Sequence, residues 1–156
     1  MKRLARLGKL HVGENQPVRI MGVINVSPES FYKGSVRTSI DDIIETAISM
    51  VRNGADIIDV GGMSTAPYLS TWIDEDEEKR RVVEAIKAIK DNIKITVSVD
   101  TQRSRVAEKA IEVGADVIND VSGLKYDPEM VHIVKEYDVS LILVAHERQP
   151  RPGTPI

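Results

Sequence analysis

Six side chains with charged or hydrogen-bonding ends occupy one kind of position in this 156-residue sequence, the close of a short apolar run. Asn25 closes the run 18–25, Asp59 lies near the end of 56–60, and Asp100 closes 95–100. Asn119 and Asp120 close 116–120, and His146 follows 140–145. A lone carboxylate at such a place serves as readily as a helix cap. Five run ends furnished alike point to a shared ligand site. Carboxylates and carboxamides in a mouth lined by Val and Ile can pair with a flat heterocycle carrying donors and acceptors along one edge, because desolvated hydrogen bonds must match or be costly.

The elements that must position these groups alternate. Each β-branched run is followed by a longer segment whose apolar residues recur at helical spacing, the pattern of βα units on a parallel sheet. The five runs predict five strands, apolar enough to be covered on both faces. Ile43, Ile44, Ala47, Ile48 and Val51 form one helical stripe, with Ser39 and Asp42 as its start. Val82, Val83, Ile86 and Ile89 form a second, behind the acidic run 74–78, whose charges suit a helix N-terminus and nothing more specific. A third stripe takes Val106, Ala107, Ala110 and Ile111, and a fourth helix opens at Asp127-Pro128 ahead of Met130, Val131, Ile133 and Val134.

Two helices end in near-identical words, Gly54-Ala55-Asp56-Ile57-Ile58-Asp59 and Gly114-Ala115-Asp116-Val117-Ile118-Asn119. Glycine just past a helix takes the left-handed C-cap conformation, so each word is a short turn into a parallel strand. With one further strand between the copies, roughly 30 residues serve each βα unit, which suits a barrel or an open sheet. In α/β folds of both kinds ligands sit beyond the carboxyl ends of the strands, where the six side chains fall. No Gly-x-Gly-x-x-Gly and no Gly-Lys-Ser/Thr loop is present, which weighs against nucleotide binding.

At 42% hydrophobic and 29% charged, the chain has enough apolar matter for one buried core. Its net charge of -3 and pI near 5.7 provide no basic field for nucleic acid. Absence of cysteine excludes disulfides and thiolate ligands. No run is long enough to span a bilayer, and a cytoplasmic location without membrane association is expected. The basic residues near the start are read as a solvated segment covering 1–17.

The motifs resemble those of the dihydropteroate synthases. Val23-Ile24-Asn25-Val26-Ser27-Pro28-Glu29-Ser30-Phe31 is similar to that family's N-V-T-P-D-S-F, and Asp56-Ile57-Ile58-Asp59-Val60-Gly61-Gly62-Met63-Ser64-Thr65-Ala66-Pro67 to its D-I-I-D-V-G-G-E-S-T-R-P. Ser98-Val99-Asp100-Thr101, Ile118-Asn119-Asp120-Val121-Ser122-Gly123 and the surroundings of His146 follow in the family's order.

The resemblance implies an α/β chain forming part of a TIM (β/α)₈ barrel, with about five parallel strands and four helices over residues 18–156. A complete barrel takes about 250 residues, so the barrel is expected to be truncated after strand five and the chain alone to be inactive. It further implies an enzyme transferring an alkyl group other than methyl, which joins 6-hydroxymethyl-7,8-dihydropterin pyrophosphate to p-aminobenzoate or a related arylamine. Asn25 would hold Mg²⁺ and the pyrophosphate, Asp100 would lie by the pterin and stabilise the cation left when pyrophosphate departs, and Asn119 would bond the pterin edge. Thr65 and Asp59 would also belong to the pterin-binding set, Thr65 near pterin and pyrophosphate and Asp59 helping to orient the site. Two alternatives remain: pterin-dependent methyl transfer to a corrinoid protein, and a pterin-binding module without catalysis.

Several residues depart from the family pattern. Ala66 replaces an Arg, Met63 a Glu and Lys33 an acidic residue, while Ala145-His146-Glu147 stands where the family commonly has Met-His-Met. These changes remove an anion contact and suggest a modified pterin or a different amine. The first and fifth strands would have open edges, so association into a homo-oligomer is expected.

Overall fold

The computed structural model describes residues 3–26, 36–63 and 73–145. After a hairpin of β1 (Leu4–Leu7) and β2 (Leu10–Gly13), the chain alternates strand and helix: β3 (Met21–Asn25), α1 (Val36–Arg52), β4 (Ile57–Gly61), α2 (Glu75–Asn92), β5 (Thr96–Asp100), α3 (Ser104–Glu112), β6 (Val117–Asp120), α4 (Met130–Glu136) and β7 (Ser140–Leu143). Strands β3 to β7 form one parallel sheet in sequence order, as successive βα units of a barrel do.

The two faces of this sheet differ in chemistry. Ile24, Ile58, Val60, Val97, Val99 and Ile118 point to the helices and form the core with Ile43, Ala47, Val82, Ile86, Ile89, Val106 and Ala110. The other face carries Asp59, Ser98, Asp100 and Asn119 among its apolar residues, because side chains alternate along a strand. The expectation of strands apolar on both faces is therefore corrected: the helix-side face is apolar apart from Asp120 at the end of β6, and the other face is mixed.

Both repeated words work as anticipated and carry one further device. Gly54 and Gly114 have φ of +103° and +112°, and the Asp two residues later reaches back to the preceding strand. Asp56 accepts from the Ile20 backbone N–H at 2.9 Å, and Asp116 from that of Val97 at 2.9 Å. Each carboxylate also meets a cation, Arg19 at 3.3 Å and Lys90 at 2.9 Å. Neighbouring strands are thus pinned at their starts.

Helix starts are satisfied both by the residues just before them and by side chains from elsewhere. Asp74 caps α2 as its acidic run suggests, accepting from the Glu77 N–H at 2.9 Å. Ser39, expected at the helix start, lies inside α1, which begins three residues earlier. Asp127 leads into α4 as the Asp-Pro word suggests, its Oδ1 accepting from the Glu129 N–H at 3.0 Å and its carbonyl from the Met130 N–H at 3.1 Å, although the regular helix begins only at Met130; its Oδ2 also accepts from the Ser104 N–H at 2.8 Å and so satisfies the first turn of α3.

The basic start of the chain is more than a solvated segment. Arg3, Arg6 and Lys9 are exposed, but the backbone around them folds as the β1–β2 hairpin. Gly8 at its tip donates an N–H to Ser140 Oγ at 3.0 Å, and a Cβ there would lie 3.0 Å from Asp116 Cβ and 3.3 Å from Thr96 Cγ2. The hairpin therefore packs under the starts of β5, β6 and β7, at the end of the sheet opposite the candidate site. Charge alone does not reveal this, since the apolar residues that shape the hairpin are few and half-exposed.

Candidate functional site

Parallel pairing in register sets four strand-end residues side by side. Asn25 stands opposite Gly61, Gly61 opposite Asp100, and Asp100 opposite Asn119. One layer lower on the same face, Val23, Asp59, Ser98 and Val117 are paired in turn. The missing side chain of Gly61 matters here. A Cβ at that position would meet Asn25 Oδ1 at 3.1 Å and Asp100 Cβ at 3.6 Å, so glycine leaves room between the carboxamide and the carboxylate.

Asp59 is 3% exposed and bonds two neighbours at once. Its Oδ1 accepts a hydrogen bond from Ser98 Oγ, and its Oδ2 accepts from Asn119 Nδ2 at 3.2 Å. Burial pushes its pKa up, and the two hydrogen bonds pull it back. Asn119 Oδ1 is buried and has no hydrogen-bond partner among the described residues. A buried acceptor left without a donor is costly, so this atom is aimed at something a ligand could supply.

Asp100 is raised to about 7 by burial first, and then by the negative charges of Asp59, Glu78 and Asp120. A carboxyl poised there can exist in either form near neutral pH. As an anion in a poorly hydrated place, it would stabilise a cation developing beside it.

Against the residues that follow this row, Gly62 and Thr101, lies a group that reading the sequence misses. Glu78 is fully buried, taking Thr101 Oγ1–H on Oε1 at 2.6 Å and Arg103 Nη1 on Oε2 at 2.7 Å. Arg103 Nη2 also donates to the Ile73 carbonyl at 2.9 Å, and the Thr101 N–H reaches the Asn119 carbonyl at 3.2 Å. The expectation that the acidic run 74–78 suits a helix N-terminus and nothing more specific is therefore corrected for Glu78. Its signal was present, since Glu78 falls four residues before Val82 on the same apolar stripe. Ser98 was equally unmarked, although it lies two residues before Asp100 and so faces the same way.

Of the strand-end residues, the structure brings together Asn25, Asp59, Asp100 and Asn119. Asp120 turns to the opposite face, where its carboxylate accepts from the Ser122 and Leu124 N–H groups at 2.8 and 2.9 Å. It shapes a turn and does not belong to the row. Thr65 and His146 lie outside the described residues, as do Lys33 and Ala66.

Among the described residues no three His, Cys, Asp or Glu side chains converge as a metal cage. The donor chemistry suits instead an ion that keeps water and phosphate oxygens, as Mg²⁺ does, and takes one protein carboxamide. Asn25, beside the space that Gly61 leaves, fits that part.

Known proteins resemble this chain in sequence and fold. The family described as pterin binding enzyme matches residues 21–154. A dihydropteroate synthase of Clostridium beijerinckii is 43% identical over 143 residues, covering 92% of this chain and 52% of that protein. That of Bacillus subtilis is 40% identical over 132 residues, covering 85% and 46%. Among solved structures, the dihydropteroate synthase of Clostridium difficile in the presence of pteroic acid superposes with a TM-score of 0.76 at 42% identity, covering 80% of this chain and 47% of that one. The Thermus thermophilus enzyme in complex with 4-aminobenzoate gives 0.71 at 34% identity, covering 90% and 48%. The chain spans about half the length of the curated relatives it matches.

Proposed function

This chain belongs to the pterin-binding enzyme family, and from that premise we propose that its strand-end row is the pterin half of a dihydropteroate synthase site. The complete site would condense 6-hydroxymethyl-7,8-dihydropterin pyrophosphate with p-aminobenzoate or a related arylamine. The carbon–oxygen bond to pyrophosphate breaks, the amine nitrogen forms a bond to the same methylene carbon, and the nitrogen then loses a proton.

The observation that carries this reading is the in-register set Asn25, Gly61, Asp100 and Asn119 over the buried pair Asp59 and Ser98. Asn119 Oδ1 offers an acceptor to a ring N–H, and Asp100 in its anionic form lies where positive charge on the pterin would be stabilised. Asn25 would contribute one oxygen to Mg²⁺, and the ion, when bound, would supply positive charge beside the pyrophosphate. Thr65 is assigned beside the pterin and pyrophosphate from its place in the Ser64-Thr65 motif. Asp59 orients its neighbours and does not touch the substrate. A cytoplasmic setting suits these small-molecule substrates, and among the described residues no helix is long and apolar enough to cross a membrane.

Nitrogen and carbon chemical-shift mapping with the dihydropterin tests the assignment. Shifts centred on Asn25, Asp100 and Asn119 are expected, and shifts confined to the hairpin end of the sheet would contradict it. Turnover is expected to need more polypeptide than this chain, because its relatives are about twice as long. Dihydropteroate formed by the 156-residue chain, and abolished by Asn25→Ala, would overturn that expectation.

A further inference from the structure

We propose that Asp59 is a positioning residue that fixes which end of the Asn119 carboxamide faces the strand ends, making this position of the site an acceptor that selects a ligand N–H. The inference rests on the pterin reading for the ligand's identity, and goes beyond it in assigning a specificity role to a residue that does not touch the ligand.

The geometry leads there in three steps. An ionised carboxylate only accepts hydrogen bonds, so of the two ends of a carboxamide it can bind only the NH₂. Asp59 Oδ2 takes Asn119 Nδ2 at 3.2 Å, while Ser98 Oγ–H binds Oδ1 and stops the carboxylate from turning. The oxygen of Asn119 is thereby directed away from Asp59, and it is the atom left buried with no partner among the described residues. Register adds the direction: Asp59 sits one layer below the Gly61–Asp100–Asn119 row on the same face, so the lock lies under the mouth. Were the amide reversed, the site would present a donor there and would favour a ring nitrogen with a lone pair.

A double-mutant cycle separates this role from a purely structural one. The dissociation constant of 6-hydroxymethyl-7,8-dihydropterin is measured at pH 8 for the full chain, Asp59→Asn, Asn119→Ala and the double variant, each checked for a cooperative thermal transition. Asp59→Asn can offer an NH₂ of its own and release the Asn119 amide to reverse, so it is expected to weaken binding about tenfold, the scale of one hydrogen bond. In the Asn119→Ala background it should have no further effect. Equal weakening in both backgrounds, or none in either, overturns the proposal. If Asp59→Asn does not fold, Ser98→Ala carries the same test with about threefold weakening, again only when Asn119 is intact.

A second arm needs no ligand. The side-chain NH₂ of Asn119 should give a shifted, slowly exchanging pair of proton resonances that Asp59→Asn returns toward the values of exposed asparagines. If the unaltered chain binds no dihydropterin, the proposed function fails, and this spectrum still decides the role of Asp59. An Asn119 signal that Asp59→Asn leaves unchanged overturns it.

Discussion

Glu78 and Arg103 form an ion pair almost sealed from solvent, with Arg103 Nη1 2.7 Å from Glu78 Oε2 and side chains 1% and 7% exposed respectively. Burial pushes the Glu78 carboxyl up, while the Thr101 hydroxyl and the Arg103 charge favour its ionised form. Removing one member of such a pair leaves a buried charge uncompensated, which costs about 3–5 kcal/mol. Arg103→Met and Glu78→Leu should each lose stability on that scale, and the double variant should lose less than the two together. Urea unfolding of all four proteins checks this, and strictly additive losses would show the pair to be uncoupled.

Asp100 should make the fold less stable as pH rises. Its folded value of about 7 lies above the ordinary 3.8, so between roughly pH 4 and 7 the native state holds a proton that the unfolded chain has released. Stability contributed by that proton is fully present below pH 4, falls through the window and is gone above 7. Asp100→Asn should flatten the profile and stabilise the protein at pH 8 by on the order of 2–4 kcal/mol, with little gain at pH 4. Denaturation midpoints at the two pH values provide the test. A gain of equal size at both would mean that the carboxyl is not held protonated.

Gly61→Ala should leave the fold largely intact and disturb ligand binding selectively. The added Cβ meets the Asn25 carboxamide oxygen at 3.1 Å, tight enough to displace that side chain by a few tenths of an ångström. The pyrophosphate-bearing pterin should lose more affinity than the unphosphorylated one, because Asn25 is assigned to the pyrophosphate and its ion. Equal losses for the two ligands would remove Asn25 from that role.

Association is expected through the sheet edges. Strands β3 and β7 are the outermost of the parallel sheet, and Val23 and Leu143 on them are each 52% exposed. The hairpin packs under the strand starts and leaves these side chains uncovered. A lysine on an edge strand discourages pairing, so Val23→Lys and Leu143→Lys should shift the chain toward monomer in sedimentation at low micromolar concentration. A well-behaved monomer before any substitution would contradict the expectation.

Local pattern made much of this legible in the sequence. Helical stripes, β-branched runs and the two Gly-Ala-Asp words fix the order of strands β3 to β7, and strand-end position singles out Asn25, Asp59, Asp100 and Asn119. What pattern cannot convey is which face a polar residue takes when two stand together. Asn119 and Asp120 are adjacent, yet one joins the row and the other closes a turn. Nor can it convey pairings across sequence distance: Ser98 with Asp59, or Glu78 with Thr101 and Arg103, depends on how neighbouring βα units stack. The hairpin escaped notice because eight strand residues of mixed polarity carry little periodic signal.

The central claim is that the strand-end row holds a pterin, and calorimetric titration with 6-hydroxymethyl-7,8-dihydropterin pyrophosphate in the presence of Mg²⁺ tests it most directly. The account predicts measurable binding by the chain, weakened by Asp100→Ala at pH 8 by about 1.5–3 kcal/mol, the worth of a hydrogen bond to a charged group. A dissociation constant that is the same with and without the Asp100 carboxyl would contradict it.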